Sequence, residues 1–458
     1  MTVHDVAVIG AGVVGCAVAR ELSGLGLDVV LIDSRADVGD GTSKANTAIL
    51  HTGFDAVPGS VEARLVARGY ELLSDYAVAC GIPVERTGAV LVAWTDHELE
   101  VLPKLREKAV LNGYLACELI TADEVRHLLP SLAPGALGGL TVPGESIICP
   151  WTTPLAYATE ALARGTVLAL STSVSAIEVH EDSTVLRTNR APIECRWVIN
   201  AAGLGADYLD AMFGHHRFTV TPRRGELLVF DKQARALVDR IVLPVPTERG
   251  KGVLISPTIF GNVMLGPTSQ PIDDRSDTST SEEGFDLLCE KGRRLMPQLL
   301  DEEVTAAYTG LRASTEFSDY VIDIEVAQRY VLVGGIRSTG LTASLAIAEY
   351  AAQLLADAGL AMKPRNDLPL PPVMPNLGEA FARPYESDDV IAADPEYGQI
   401  VCFCERVTRG EIRDAFASPI PPADLDGLRR RTRAQMGRCQ GFYCGAQIEQ
   451  LLESGRRR

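Results

Sequence analysis

Residues 4–34 read HDVAVIGAGVVGCAVARELSGLGLDVVLIDS, and the order of features in this stretch sets the architecture. An apolar, β-rich run ends at Gly10, Gly12 and Gly15 follow, an alanine-rich helical segment comes next, and a second apolar run closes at Asp33. The first glycine permits the tight turn out of a strand, the second lets backbone approach a pyrophosphate, and the third allows close helix packing. The phosphates then meet the positive N-terminal end of that helix. Asp33 stands 18 residues after Gly15, where a carboxylate can bond a ribose hydroxyl. Strand, glycine triplet, helix, strand and acid in this order predict a dinucleotide site on a βαβ unit.

Two later segments bear on which dinucleotide. RWVINAAGLGAD (196–207) runs from a strand into small residues, so that backbone around Ala202 and Gly203 must again approach something closely. YVLVGGIRSTGLTASLAIAEYAAQLL (330–355) is a strand, a turn with Gly334, Gly335 and Gly340, and a long helix whose N-terminus is aimed at a ligand. Three such segments, spread from residue 10 to residue 342, suit an extended cofactor such as FAD better than a compact nicotinamide site.

The chain has 458 residues, 46% of them hydrophobic, enough for two or three domains with large cores. A net charge of −17 excludes a general nucleic-acid binder, because a phosphate backbone attracts basic surfaces. The tail differs from the body: residues 396–458 hold 11 arginines against 8 carboxylates. The first residues show no charged leader or apolar signal core, and LTASLAIAEYAAQLLADAGLA (341–361) carries Glu349, Gln353 and Asp357, so it reads as an amphipathic core helix and not a span. The expected location is cytoplasmic, with peripheral contact at an inner membrane left open. In a reducing compartment ten cysteines are not a disulfide framework, and Cys16, Cys80, Cys117, Cys149, Cys195 and Cys289 read as buried small residues.

GAGVVG (10–15), GTSKANTAILHTGFDAVPGSVEARLVARG (41–69), INAAG (199–203), GLRAS (310–314) and GGIRSTGLTASLAIAEY (334–350) together resemble the FAD-dependent oxidoreductases of the D-amino-acid-oxidase superfamily. The resemblance is to the branch with L-2-hydroxyglutarate dehydrogenases and the large subunits of anaerobic glycerol-3-phosphate dehydrogenases. It implies a Rossmann-like FAD-binding domain, α/β, made of residues 1–80, 145–220 and 320–365. An α+β substrate domain, mostly antiparallel sheet, is inserted as residues 81–144 and 221–319. Alternating runs such as RRGELLVF (223–230), KGVLISPT (251–258) and GNVMLGPT (261–268) fit its strands. By the same resemblance Gly10, Gly12, Gly15 and Asp33 hold the ADP half. Thr42, Ser43 and Asn46 line the flavin phosphates and ring, Val174 meets the adenine, and Gly335, Ile336, Gly340, Leu341 and Thr342 close over the isoalloxazine.

The catalytic candidates are His51, Arg312, Lys251 and Arg337. His51 follows the flavin-contacting turn, and an imidazole can take an alcohol proton near neutrality. Arg312 in GLRAS matches a position where relatives clamp a substrate carboxylate or phosphate, a task suited to a planar guanidinium. Lys251 lies in a glycine-flanked loop. Glycerol-phosphate-type relatives read Gly-Ile-Glu-Ser-Pro-Gly-Leu-Thr at the flavin turn; here Arg337 and Thr339 replace the acid and the proline. That exchange is expected to favour an anionic substrate or an anionic reduced flavin.

Residues 364–384 contain six prolines in 21 positions, which predicts an extended linker, assigned to 366–395, leaving the main domain. A small helical module, 396–458, follows. Cys402-x-Cys404 and Cys439-x4-Cys444 supply four thiolates, the ligand set of a 2Fe–2S cluster or of zinc, and the one-residue gap disfavours zinc. The spacing and RTRAQMGRCQGFYCG (431–445) resemble the bacterioferritin-associated-ferredoxin module, in the form fused to glycerol-3-phosphate-type dehydrogenases. VTRGEIRDAF (407–416) predicts a capping box between Thr408 and Glu411, placing the first cysteine pair at a helix N-terminus. The basic run LRRRTRAQMGR (428–438) is expected to dock an acidic surface, of this chain or of an electron acceptor.

The expectation is therefore an FAD dehydrogenase with a 2Fe–2S cluster. It oxidises the CH–OH group of a small anionic substrate, a 2-hydroxy acid such as L-2-hydroxyglutarate or a polyol phosphate such as glycerol 3-phosphate. Electrons leave to a quinone, a carrier protein or a partner subunit that meets the basic tail. Oxidation of an amino-acid, imino-acid or opine CH–NH group, and a non-enzymatic flavin and iron–sulfur electron carrier, are the alternatives.

Overall fold

A computed structural model describes residues 3–246 and 252–456. The strand Val3–Ile9 pairs in parallel with Val29–Ile32, and the helix Val13–Gly24 crosses between them. Val6, Ala7 and Val8 are wholly buried, as expected for β-branched and small residues in a sheet covered on both faces. The triplet works through contact distances. Gly10 has φ +111°, and a Cβ on it would stand 2.3 Å from the carbonyl oxygen of Ala201; a Cβ on Gly15 would stand 1.8 Å from that of Gly10. Helix and strand can approach this closely only with hydrogen at both positions.

The eight-stranded sheet built on this unit runs in the order Val174–Val179, Thr184–Thr188, Ile193–Asn200, Val3–Ile9, Val29–Ile32, Val167–Ala169. Tyr330–Gly334 adds in parallel to Ile193–Asn200, and Val321–Glu325 pairs antiparallel with it. All three glycine-rich turns thus leave the C-terminal ends of neighbouring parallel strands, where ligands bind in such sheets. The helix Gly340–Asp357 packs on Val13–Gly24 and on Val61–Cys80 with Leu345, Ala346, Ile347 and Leu355 buried. Among the described residues no helix is long and apolar enough to cross a membrane.

A nine-stranded sheet is formed from residues 89–142 and 221–314, antiparallel except where Ile241–Pro244 runs parallel to Ala89–Ala93. In the strand Thr221–Phe230, Leu228 and Phe230 enter the core under the helix Glu282–Leu295, whereas Arg223, Gly225 and Leu227 face a cavity toward the first sheet. The paired strand Val304–Ser314 turns Gly310, Arg312 and Ser314 to the same cavity. The period of two along a strand makes one sheet serve as both core and site wall.

The proline-rich segment does not leave the body as a free tether. It is pinned as a strap: Lys363 and Arg365 donate backbone N–H bonds to Leu25 and Gly24, Met374 to Cys80, and Glu379 to Ile259. Met374 and Leu377 are buried, and a short helix, Asp388–Ala393, lies within the expected linker. Proline fixes the extended backbone, and apolar residues between the prolines anchor it. The last module is a hairpin, Ile400–Cys402 with Val407–Thr408, and three helices, Arg409–Ala417, Leu425–Thr432 and Gly445–Arg456. The Thr408–Glu411 capping box is present. The helix it opens begins beyond Val407–Thr408, so the first cysteine pair lies in the hairpin; Cys444, which directly precedes Gly445–Arg456, is the one at a helix N-terminus.

Candidate active site

One cavity of about 920 Å³ lies between the two sheets, ample for a dinucleotide with substrate space beside it. Gly10, Gly12, Asp33 and Val174 line one end, Ala202 and Gly203 one side, and Gly335, Ile336, Gly340 and Leu341 the far turn. Asp33 is already engaged: its carboxylate accepts N–H bonds from Ala11 at 2.7 Å and Arg35 at 2.8 Å, while burial raises its pKa. Its first task is to hold the glycine turn.

Thr42, Ser43 and Asn46 also reach the cavity, but their side chains shape the loop. Thr42 Oγ1 donates to Leu311 O, Ser43 Oγ accepts from Val13 N–H, and the Asn46 amide bridges Ser43 O and Ala48 N–H. Two expected cofactor contacts are not at the wall: Gly15 is a packing position, and Thr342 is wholly buried with Oγ1 accepting from His51 N–H at 3.0 Å. A long preformed cavity, a strand–turn glycine, Gly10, without room for a Cβ and a helix N-terminus beside it fit an FAD molecule.

At the substrate end His51 faces the cavity, with Nδ1 2.8 Å from Glu145 Oε2. Arg312 and Arg223 are cross-strand partners on the same wall. Burial away from water, with the neighbouring Arg223 charge, pushes the Arg312 guanidinium down to about 10. Among the described residues its one hydrogen bond is a long one, 3.4 Å to Thr268 O, and neither arginine has a carboxylate within ion-pair reach. Like charges directly opposite in a sheet repel, so an anion bound between them would relieve both. Gly225 makes the room: a Cβ there would stand 3.0–3.1 Å from the Arg312 guanidinium nitrogens.

Arg337 does not supply the free positive charge expected of it. Its Nη2 donates to Glu62 Oε2 at 3.0 Å and to Ser318 O, and Glu62 also accepts from Thr339 Oγ1 at 2.7 Å. Glu62 therefore offsets the change of sign at the flavin turn. Lys251 lies outside the described residues. Glu145, Glu62 and Arg223 escaped the sequence reading because each stands apart from its partner or from any motif. Only the alternation of RRGELLVF pointed Arg223 to the same face as Leu227.

In the last module the thiols meet in two pairs. Cys404 and Cys439 have Sγ atoms 3.4 Å apart, and Cys402 and Cys444 adjoin in the module's small core. Burial pushes Cys402, Cys404 and Cys444 up, while the N–H of Tyr443 is the largest influence holding Cys439 down. Among the described residues no three His, Cys, Asp or Glu side chains converge on one ion position. Two thiol pairs fit a 2Fe–2S cluster, which takes two thiolates per iron.

The arginine run is folded inward. Asp37, 2% exposed, receives Arg431 at 2.6 and 2.7 Å and Arg430 at 2.9 Å. Arg430 also pairs with Asp40, Arg438 with Asp231, and Arg433 with Glu405 and Asn262. Arg433 further covers Phe260, which stacks on Trp151. The acidic surface that the basic run docks is this chain's own body. Asp37→Ala would leave the buried Arg431 guanidinium without a carboxylate and Arg430 with Asp40 alone, and is expected to cost about 3–5 kcal/mol, read as a lower Tm and faster proteolysis within residues 365–383. An unchanged Tm would mean that this cluster does not hold the module.

This fold, cavity and thiol set define a flavoprotein oxidoreductase with an attached iron–sulfur module. Residues 5–354 match the family of FAD dependent oxidoreductases, to which the chain belongs, and residues 400–454 match the BFD-like [2Fe-2S] binding domain. The protein binds FAD and carries a 2Fe–2S cluster. It is 34% identical to a glycerol 3-phosphate dehydrogenase of Caloramator mitchellensis over 98% of this chain and 93% of that one. Identity to a glycerol 3-phosphate oxidase of Mycoplasma pneumoniae is 30%, over 78% of this chain and 95% of the other. Identity to one subunit of the anaerobic glycerol-3-phosphate dehydrogenase of Escherichia coli is 26%, over 98% and 88%. Among solved structures, the dithionite-reduced, FAD-bound L-alpha-glycerophosphate oxidase from Mycoplasma pneumoniae superposes with a TM-score of 0.77 at 28% identity, covering 82% of this chain and all of that one.

Proposed function

We propose that this chain is a dehydrogenase that oxidises the CH–OH carbon of a small polyol phosphate, glycerol 3-phosphate or a close analogue. The observation that carries this reading is the Arg312–Arg223 pair, two guanidinium groups with no carboxylate partner among the described residues, on one wall of the cavity that His51 faces. A phosphate dianion satisfies both; a hydroxy-acid carboxylate satisfies them less completely. Bound FAD supplies the hydride acceptor, and the cluster a one-electron outlet.

The protein's own part is positional. Arg312 and Arg223 anchor the anion, and His51, its backbone held by Thr342 and its ring by Glu145, takes the hydroxyl proton. Glu62 keeps Arg337 from competing for the anion. Cys402, Cys404, Cys439 and Cys444 hold the cluster. The relatives support an external acceptor: the dehydrogenases match 98% of this chain and the oxidase 78%. The acceptor approaches the aromatic edge between the cysteines, where Phe403, Phe442 and Tyr443 are 70, 83 and 77% exposed.

Anaerobic mixing with glycerol 3-phosphate, L-2-hydroxyglutarate and a panel of amino acids tests the reading. Flavin bleaching by glycerol 3-phosphate at the lowest concentration is expected. Bleaching by amino acids alone would replace it with CH–NH chemistry, and bleaching by none would favour an electron carrier.

A further inference from the structure

We infer that Glu145 is the positioning residue of the proton-accepting imidazole: its carboxylate holds the Nδ1–H of His51, so that the unprotonated Nε2 is the nitrogen offered to the substrate. The inference rests on His51 acting as the base in the reaction proposed above.

The strand Ile49–Leu50 pairs antiparallel with Ser146–Ile148, Leu50 opposite Ser146. Continued by one residue, that register sets His51 beside Glu145. The Glu145 side chain is completely buried, and each of its oxygens has a defined donor. Oε1 accepts from Thr52 N–H at 2.7 Å and from Thr52 Oγ1 at 2.9 Å, and Oε2 lies 2.8 Å from His51 Nδ1. A carboxylate with two donors on one oxygen is an acceptor, and so fixes the proton of the facing imidazole on Nδ1.

The turn before Glu145 is itself clamped. Tyr70 OH donates to Gly144 O at 2.8 Å, and Gly144 N–H donates to Tyr114 OH at 2.7 Å. The titratable groups facing the carboxylate from the packed elements are Tyr70, Tyr114 and Cys117, with Arg86 beside Tyr70 and Arg106 beside Cys117. Burial, and to a smaller degree the Glu145 charge, raise Tyr114 and Cys117 to about 12, so both remain neutral over the working range. Among the described residues Glu145 is thus the one anion in contact with the imidazole. When the hydroxyl proton arrives on Nε2, the Nδ1–H stays where it is, and the resulting imidazolium rests against a carboxylate already in place.

Glu145→Gln tests this. The amide oxygen can still accept from Thr52, but its NH₂ then faces Nδ1 and forces the imidazole proton onto Nε2, where it blocks proton uptake. Expected is a fall of about 10²–10⁴-fold in the rate of flavin bleaching by glycerol 3-phosphate, with the half-saturating concentration unchanged because Glu145 does not touch substrate. A rate within threefold of the unaltered protein would overturn the inference. Nitrogen-15 NMR of histidine-labelled, unaltered protein without substrate gives a second readout: the resonances lost on His51→Asn should belong to an Nδ1–H tautomer. An Nε2–H tautomer there overturns the inference even if Glu145→Gln fails to hold FAD. His51→Asn separates the two claims. If bleaching survives it, the assignment of His51 as base fails; if it stops bleaching while Glu145→Gln does not, only the role of Glu145 fails.

Discussion

Arg312→Ala is expected to weaken binding of glycerol 3-phosphate by about 2–5 kcal/mol, while the rate of flavin bleaching at saturation changes far less. The magnitude follows from what truncation leaves behind: an anion in a shielded site with Arg223 alone and a polar wall shaped for a fork that is gone. The guanidinium is pushed down to about 10 by burial first and by Arg223 second, so it is charged at neutral pH at a solvation cost that a bound anion offsets. Affinity for inorganic phosphate, followed by the flavin spectrum, should therefore rise through neutral pH as the ligand becomes a dianion and fall as pH rises through about 10. Phosphate should raise Tm in the unaltered protein and not in Arg312→Ala. A half-saturating concentration unaltered by the substitution would remove Arg312 from the anion site.

Cys402→Ser combined with Cys439→Ser takes one thiol from each pair and should abolish the visible absorption and the reduced-state EPR signal of the cluster. Substrate should still bleach the flavin at close to the original rate, while turnover with an external acceptor drops to background. This division is expected because the substrate cavity and the thiols belong to separate cores, joined by the arginine contacts and by Trp151, Phe260 and Arg433. The module's own core is small, and a cluster contributes folding energy to such a unit, so its proteolytic sensitivity should rise as well. Loss of flavin bleaching in the double variant would mean that the two centres are not separable.

The parts legible in the sequence were those whose physics is local. Gly10, Gly12 and Gly15 are spaced by the geometry of one turn and one helix. The alternation of RRGELLVF carries its own period, and the Thr408–Glu411 capping box spans a single helical turn. The four cysteines could be grouped from spacing, but their partners could not. Cys404 meets Cys439 and Cys402 meets Cys444, a crossing set by how the hairpin packs against the turn before the last helix. The charges were the least legible. Arg337 is offset by Glu62, 275 positions away, and Arg430 and Arg431 are neutralised by Asp37 and Asp40, some 390 positions away.

The order of residues was enough to establish that this chain builds a dinucleotide cavity, carries a four-thiol module behind a proline-rich segment, and places a histidine and an arginine at the motifs where catalysis is expected. These follow from steric rules and periodicities acting over a few residues. Which charges are free and which are paired emerged from the packing in three dimensions. Packing set Glu145 against His51 and left Arg312 and Arg223 without a carboxylate among the described residues. It also folded the basic run onto its own body, leaving Phe403, Phe442 and Tyr443 as the outward face. Whether an ion pair forms depends on distance and burial, and strand register and domain docking set both between residues that the chain keeps far apart.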